Sequence, residues 1–159
     1  MHRDFKELFG FLNAEAVRYL VVGGYAVSLH TEPRATKDLD ILIDPTPDNA
    51  KALFRALASF GAPLEGTTPE GLIEPNSFFR MGVPPIMVDI LPNIAGVNFE
   101  DAWRRRVEVA IDPRAGLRTN FISAADLIEA KLASGRPQDV ADVEALRAAV
   151  GDENKDKPK

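Results

Sequence analysis

The stretch Val21-Val22-Gly23-Gly24-Tyr25-Ala26-Val27-Ser28-Leu29-His30-Thr31-Glu32-Pro33-Arg34-Ala35-Thr36-Lys37-Asp38-Leu39-Asp40-Ile41-Leu42-Ile43-Asp44 decides how this chain is read. A short apolar strand meets a double glycine and a brief helix follows over about residues 24–30. Pro33 stops that helix, and a second strand then opens on two carboxylates. Strand residues two apart share a face, so Asp38 and Asp40 are expected side by side, with Cα atoms about 6–7 Å apart. Two acids held together repel unless a cation sits between them. Hard oxygen ligands suit Mg²⁺, which usually takes one or two protein carboxylates plus substrate phosphates. The pair therefore reads as half of a metal site. The Gly23-Gly24 turn can bring bare backbone N–H groups close to a phosphate, and a helix N-terminus favours the negative charge.

Each feature alone has a plainer explanation, a tight turn for the glycines and a solvated edge or cap for the acids. Together they are sharper. Asp38 and Asp40 run into Ile41, Leu42 and Ile43, a buried strand in which unpaired carboxylates are costly. A third acid, Asp89, interrupts the otherwise apolar Ile86-Met87-Val88-Asp89-Ile90-Leu91. Its plain alternative is an acid at a strand end paired with a nearby arginine.

Glycine-glycine, then thirteen residues, then Asp-hydrophobic-Asp-hydrophobic, then a single Asp on a later strand, resembles the DNA polymerase beta-like nucleotidyltransferase superfamily. The resemblance implies an α/β (α+β) fold of the minimal nucleotidyltransferase type: a small mixed β-sheet flanked by helices, with a C-terminal helical pair. It assigns Asp38, Asp40 and Asp89 as catalytic ligands of two Mg²⁺ ions, with Mn²⁺ as a substitute, and Gly23 and Gly24 as the phosphate turn. Many members carry serine at the second glycine, so Gly24 would offer backbone contacts only. The run from Arg34 to Asp40, with Lys131-Leu-Ala-Ser-Gly-Arg136-Pro-Gln-Asp139-Val-Ala-Asp142, is similar to the abortive-infection (type IV toxin–antitoxin) nucleotidyltransferase toxins and their relatives. Lys131 and Asp142 are thereby expected at the nucleotide. Arg34 and Lys37, the best placed basic residues beside the acids, join them as candidate nucleotide contacts. The likeness spans residues from about Val21 to Ala148 and is weakest in the middle.

The resemblance implies transfer of a nucleoside monophosphate from an NTP, ATP among them, to a hydroxyl on a tRNA 3′ end or a protein side chain. The chain would then be the toxin of a toxin–antitoxin pair with a cognate antitoxin protein as partner. A second reading is modification of a small hydroxylated antibiotic, of the lincosamide or aminoglycoside type. A third is a non-catalytic nucleotide-binding module, against which stands the presence of all three acids.

With 159 residues, 45% of them hydrophobic and 27% charged, the composition is that of a globular protein with enough chain for a core. One nucleotidyltransferase domain is expected over residues 1–150, with 151–159 as a flexible polar tail. No cysteine is present, which excludes disulfides and thiolate metal sites and permits a reducing, cytoplasmic setting. No apolar run approaches the roughly 20 residues of a membrane helix, and the N-terminus lacks a signal-peptide core. The net charge of −5 argues against a broadly basic nucleic-acid binder. The densest basic run, Arg104-Arg105-Arg106, reads as a solvated turn before a strand.

Further spacing predicts the remaining elements. Asp4 and Glu7 have capping-box spacing, and Phe5, Leu8, Phe9 and Leu12 stripe a helix over about 4–15. Residues 18–22 form the first strand, and His30 is expected to cap the helix after the glycines. Thr46 and Pro47 open a helix striped by Ala50, Leu53, Phe54, Leu57 and Phe60 that ends at Gly61. Residues 62–76 read as a surface loop with one short strand, suited to acceptor recognition or a lid. Residues 77–82 and the Asp89 strand form a hairpin that sets Asp89 beside the Asp38 and Asp40 strand, with Arg80 expected to pair with a structural acid. Strands follow at 107–111 and 118–122. Ser123 caps a helix ended by Gly135, and Pro137 opens another. Ile128 and Leu132 are expected in the core, as are Val140, Val143, Leu146 and Val150, with Asp139 and Asp142 on an adjoining face. Spacing alone favours a snorkelling Lys131.

Overall fold

The computed structural model describes residues 1–33, Thr36 and residues 38–155. Its helices are α1 (Arg3–Ala14), α2 (Gly23–His30), α3 (Pro47–Phe60), α4 (Pro69–Leu72), α5 (Phe99–Arg104), α6 (Ala124–Ser134) and α7 (Pro137–Lys155). Its strands are β1 (Tyr19–Val22), β2 (Asp38–Ile43), β3 (Phe79–Val83), β4 (Ile86–Leu91), β5 (Val107–Asp112) and β6 (Leu117–Phe121). The strands make one mixed sheet in the order β3-β4-β2-β1-β6-β5. The fold is the minimal nucleotidyltransferase arrangement, a mixed sheet flanked by helices with two helices at the C-terminal end.

Alternation along the central strands decides which face holds what. Leu39, Ile41 and Ile43 of β2 are fully buried on one face, and Phe5 of α1, Phe60 of α3, Met81 and Val88 gather on that same side. Phe5, Leu8, Phe9 and Leu12 supply the stripe by which α1 packs on α3 and the sheet. Asp38 and Asp40 project from the opposite face, where α2 and α6 lie. Slipping β2 by one residue would bury both acids under α1 and α3 and expose Leu39 and Ile41, so the hydrophobic alternation that makes the core also aims the carboxylates.

Several local expectations change. His2, not Asp4, caps α1, its ring Nδ1 accepting from the Asp4 N–H at 3.0 Å. Thr46 holds the N-cap position of α3 without a side-chain cap bond, while Gly61 ends the helix in the left-handed conformation as its residue type suggests. In place of a strand, the 62–76 segment contains the single turn α4, capped by Thr68 accepting from Gly71. Helix α5 had no periodic signal strong enough to declare it, being six residues long, yet Asn98 caps it by accepting from the Asp101 N–H.

Leu132 and Val140 are 48% and 57% exposed, against the expectation that both are core. The buried line of α7 is Asp139, Asp142, Val143 and Leu146, an i, i+3, i+4, i+7 stripe that turns Val140 outward, while Val150 is half-buried. Helix α7 also continues to Lys155, into the segment expected as a polar tail.

Helix α6 is fixed at its N-terminus by a fork of bonds. Ser123 caps it by accepting from the Asp126 N–H at 3.1 Å, and Arg105 donates twice to the Asp126 carboxylate, at 2.8 and 3.0 Å. The hydrogen bonds from Arg105, more than the opposing burial, hold the Asp126 carboxyl below the usual carboxylate range. A lowered carboxyl contributes stability above its unfolded pKa of about 3.9 and loses it as pH falls through the folded value. Asp126→Asn is therefore expected to cost about 1 kcal/mol at pH 7, and urea unfolding should show the difference shrinking below about pH 4.

Candidate active site

Three strands build one acidic face. In the parallel pairing of β2 with β4, Asp40 lies opposite Asp89 and Asp38 opposite Met87. In the antiparallel pairing of β3 with β4, Arg80 lies opposite Asp89. Paired residues project to the same side, and adjacent strands are about 4.8 Å apart, so Asp38, Asp40, Asp89 and Arg80 share one patch. Arg80 reaches both flanking acids, at 3.5 Å from Asp38 Oδ2 and 3.7 Å from Asp89 Oδ2. This is the nearby arginine of the plain alternative for Asp89, except that it serves two of the three predicted acids at once.

Burial raises two of these carboxyls. Burial pushes Asp40 up to about 6, with the Asp89 and Asp38 charges adding to it and Lys131 and Arg80 opposing. Asp89 is raised too, mainly by burial, against the pull of Arg80. Its Oδ1 is buried with no hydrogen-bond partner, an uncompensated acceptor beside two other acids. Among the described residues no three His, Cys, Asp or Glu side chains are already gathered as a cage for a metal ion. The donor set fits a hard divalent ion of the Mg²⁺ type, which keeps several waters and draws its other ligands from substrate phosphates.

The glycine turn touches this face. Gly23 sits at φ +68° at the start of α2, and a Cβ there would run into the Asp40 carboxylate. Only glycine meets both demands, and the close approach joins turn and acids into one site. Gly24 follows in the first turn of α2, whose Val22 N-cap makes no side-chain bond.

A cavity of about 310 Å³ opens beside them. Val22, Gly23 and Asp40 stand at one side, Leu91, Ile94, Leu127 and Ala130 form an apolar wall, and Lys131, Ser134, Arg136 and Asp139 complete the lining. The wall is held close because Gly96, at φ +77°, lies against α6, where a Cβ would strike Glu129 O and Ala133.

Lys131 does not snorkel. Its Nζ is 3.2 Å from Asp139 Oδ1 and 3.1 Å from Asp142 Oδ2, and the side chain is 12% exposed. Arg136 binds Asp139 through its backbone N–H at 3.1 Å and its Nε at 2.9 Å, and these bonds hold the Asp139 carboxyl far below the usual range. The predicted Lys131 and Asp142 thus meet in one ion-pair cluster at the cavity. The sequence motif contains Ser134, Arg136 and Asp139 but gives them no part at the nucleotide, and the structure sets all three on the cavity lining. The signal for two of them was available, since an acid three residues after Arg136, at the start of α7, is capping-box spacing.

Other candidates lie elsewhere. Arg34 and Lys37 fall outside the described residues. His30 Nε2 bonds to the Ile122 carbonyl at 2.8 Å, tying α2 to the end of β6 rather than facing the acids. The arginine run is split among separate partners, Arg104 with Asp101, Arg105 with Asp126, and Arg106 over the Trp103 ring at 3.9 Å and against Glu108. Arg106 therefore ends in an aromatic contact rather than in the solvated turn expected for the run.

The mixed sheet with its flanking helices is consistent with the DNA polymerase beta-like nucleotidyltransferase superfamily. Residues 3–150 match the family described as "Nucleotidyltransferase of unknown function (DUF6036)", and the chain belongs to that family. Among solved structures it is similar to a Thermotoga maritima protein assigned as a nucleotidyltransferase, at 19% identity and a TM-score of 0.61, covering 94% of this chain and 92% of that one. It is also similar to the lincosamide antibiotic adenylyltransferase LnuA in its lincomycin-bound form, at 17% identity and a TM-score of 0.57, covering 94% and 98%. ANT(2")-Ia in complex with adenylyl-2"-tobramycin matches at 15% identity and a TM-score of 0.59, covering 94% and 89%. At these identities the likeness is one of fold. No curated protein sequence matches the chain.

The raised Asp40 gives a checkable sign. A carboxyl raised above its unfolded value stabilises the fold below about pH 4, and that contribution is lost as pH rises through about 6. Ionised Asp40 is then a cost, so Asp40→Asn is expected to stabilise the metal-free protein by about 1–2 kcal/mol at pH 8, discounted for partial exposure. Urea titrations without divalent ions should show the two proteins converging near pH 4.

Proposed function

We propose that this protein is an NTP-dependent nucleotidyltransferase whose acidic face is the catalytic centre, with Asp38, Asp40 and Asp89 as the residues that would hold Mg²⁺. The observation that carries this reading is the cross-strand alignment of Asp40 with Asp89, beside Asp38 and in contact with the Gly23 turn. Bound there, divalent ions supply activation of an acceptor hydroxyl and charge neutralisation of the leaving pyrophosphate.

The chain's own groups do the rest. The Gly23 and Gly24 amides at the start of α2 receive phosphate oxygens. Lys131 and Arg136, on the cavity lining, offset the triphosphate charge, while Asp139 and Asp142 hold Lys131 in place. The acceptor hydroxyl gives up its proton to solvent and its oxygen forms a bond to the α-phosphorus as the bond to pyrophosphate breaks, so a nucleoside monophosphate moves to the acceptor.

Of the acceptors, we favour a small hydroxylated molecule over a tRNA 3′ end. Each arginine of the 104–106 run lies beside an acidic or aromatic partner of its own chain, and the net charge is −5, which weakens the case for a basic tRNA-binding patch. Two of the similar structures are antibiotic adenylyltransferases, which supports the same choice. A protein side chain as acceptor, and a toxin role with an antitoxin partner, rest on the sequence resemblance.

The test is incubation of the full chain with each α-labelled NTP, Mg²⁺ and a cell extract, followed by separation of small molecules, RNA and protein. Label is expected in the small-molecule fraction, and Asp40→Asn or Asp89→Asn should lower its appearance by roughly 10³-fold. Undiminished transfer by Asp40→Asn would refute the assignment, and label in RNA would overturn the acceptor choice alone.

A further inference from the structure

Arg80 stands among the three acids, and neither the family pattern nor the reaction assigns it a part. It is 47% exposed, and its ion pairs among the described residues are those with Asp38 and Asp89. Those pairs are as long as the surface pairs Arg118–Glu108 at 3.7 Å and Arg104–Asp101 at 3.9 Å, and longer than the arginine–carboxylate bonds that fix the ends of α6. Arg105 closes on Asp126 at 2.8 and 3.0 Å, and Arg136 on Asp139 at 2.9 Å, the lengths of full charge-assisted hydrogen bonds. Arg80 stays at 3.5 Å from Asp38 Oδ2 and 3.7 Å from Asp89 Oδ2. The other oxygen of Asp89 is buried and without a partner. The guanidinium therefore neutralises the acids loosely and leaves coordination capacity unused.

We propose that Arg80 is a built-in counter-ion that occupies the acidic face in the absence of a divalent ion and competes with that ion for Asp38 and Asp89. This rests on the metal-binding reading of the three acids. Opposite Asp89 in the register, Arg80 cannot leave the patch by sliding along the sheet, so it exchanges by swinging its exposed side chain outward. Loose pairs suit this task, because a bidentate pair of the Arg105–Asp126 kind would resist displacement. Arg80 is a positioning residue in this scheme, keeping the acids from repelling one another until the ion arrives.

The competition has a sign that a structural tie lacks. If Arg80 merely braced the acids for the ion, its removal would weaken binding; as a competitor, its removal strengthens it. The experiment is calorimetric titration of the full chain with MnCl₂ alone, comparing the unaltered protein with Arg80→Gln, Arg80→Lys and Asp89→Asn. Arg80→Gln is expected to bind Mn²⁺ about 3- to 10-fold more tightly, the range that two half-exposed ion pairs can supply. Arg80→Lys, which cannot span both acids with one ammonium, should fall between, and it carries the test if the glutamine variant does not fold. Equal or weaker affinity in the Arg80 variants, with binding still lost in Asp89→Asn, would overturn the counter-ion while leaving the catalytic assignment intact. Absence of Mn²⁺ binding in the unaltered protein and the Arg80 variants alike would overturn both.

Discussion

The structure depends on the register of β2 between β4 and β1. That register puts Leu39 and Ile41 into the core on one face and Asp38 and Asp40 out on the other, and a shift of one residue would exchange them. The energy that enforces it comes from the apolar side: Leu39, Ile41 and Ile43 are fully buried, along with the α1 stripe. The acids contribute the opposite sign, since Asp40 and Asp89 are raised chiefly by burial. Core packing thus holds in place a group of carboxylates that would not gather unaided.

A second constraint runs through α6 and α7. The short link between them carries Gly135 in the left-handed conformation, and Arg136 and Asp139 close the start of α7 on itself. Because Asp139 and Asp142 occupy the buried line of α7, Lys131 of α6 is drawn inward to meet them instead of reaching solvent. The Arg105 fork on Asp126 anchors the far end of the same helix. Two ion-pair clusters, one at each end of α6, therefore set the position of Lys131 relative to the acidic face.

The legible parts of the sequence were those with a strict period or a short-range code. The β2 and β4 strands, the glycine turn and the Ser123 and Gly135 helix bounds follow from alternation and capping chemistry, and they located the three acids on neighbouring strands. What escaped depends on tertiary pairing. Val140 fits a helical core stripe as well as Asp139 does, and only the cations on α6 and at Arg136 make the acid the buried choice. Lys131 shows the same effect, since snorkelling is the default for a lysine without buried acids to meet. Helix α5 and the turn α4 are too short to show a period at all.

Charge balance links these observations. Three carboxylates on one face would destabilise the sheet unless opposed, and the chain supplies two cations of different kinds. Lys131 is held by two acids of α7, so its charge is shared and its position fixed. Arg80 is half-exposed and long in its contacts. The buried cation, tied to two acids, is suited to meeting an anion in a fixed place, whereas the exposed one is tied only by long pairs. Acids gathered against their mutual repulsion gain affinity for an ion that relieves it, so the cost of bringing these carboxylates together is the same quantity that would favour a divalent ion among them.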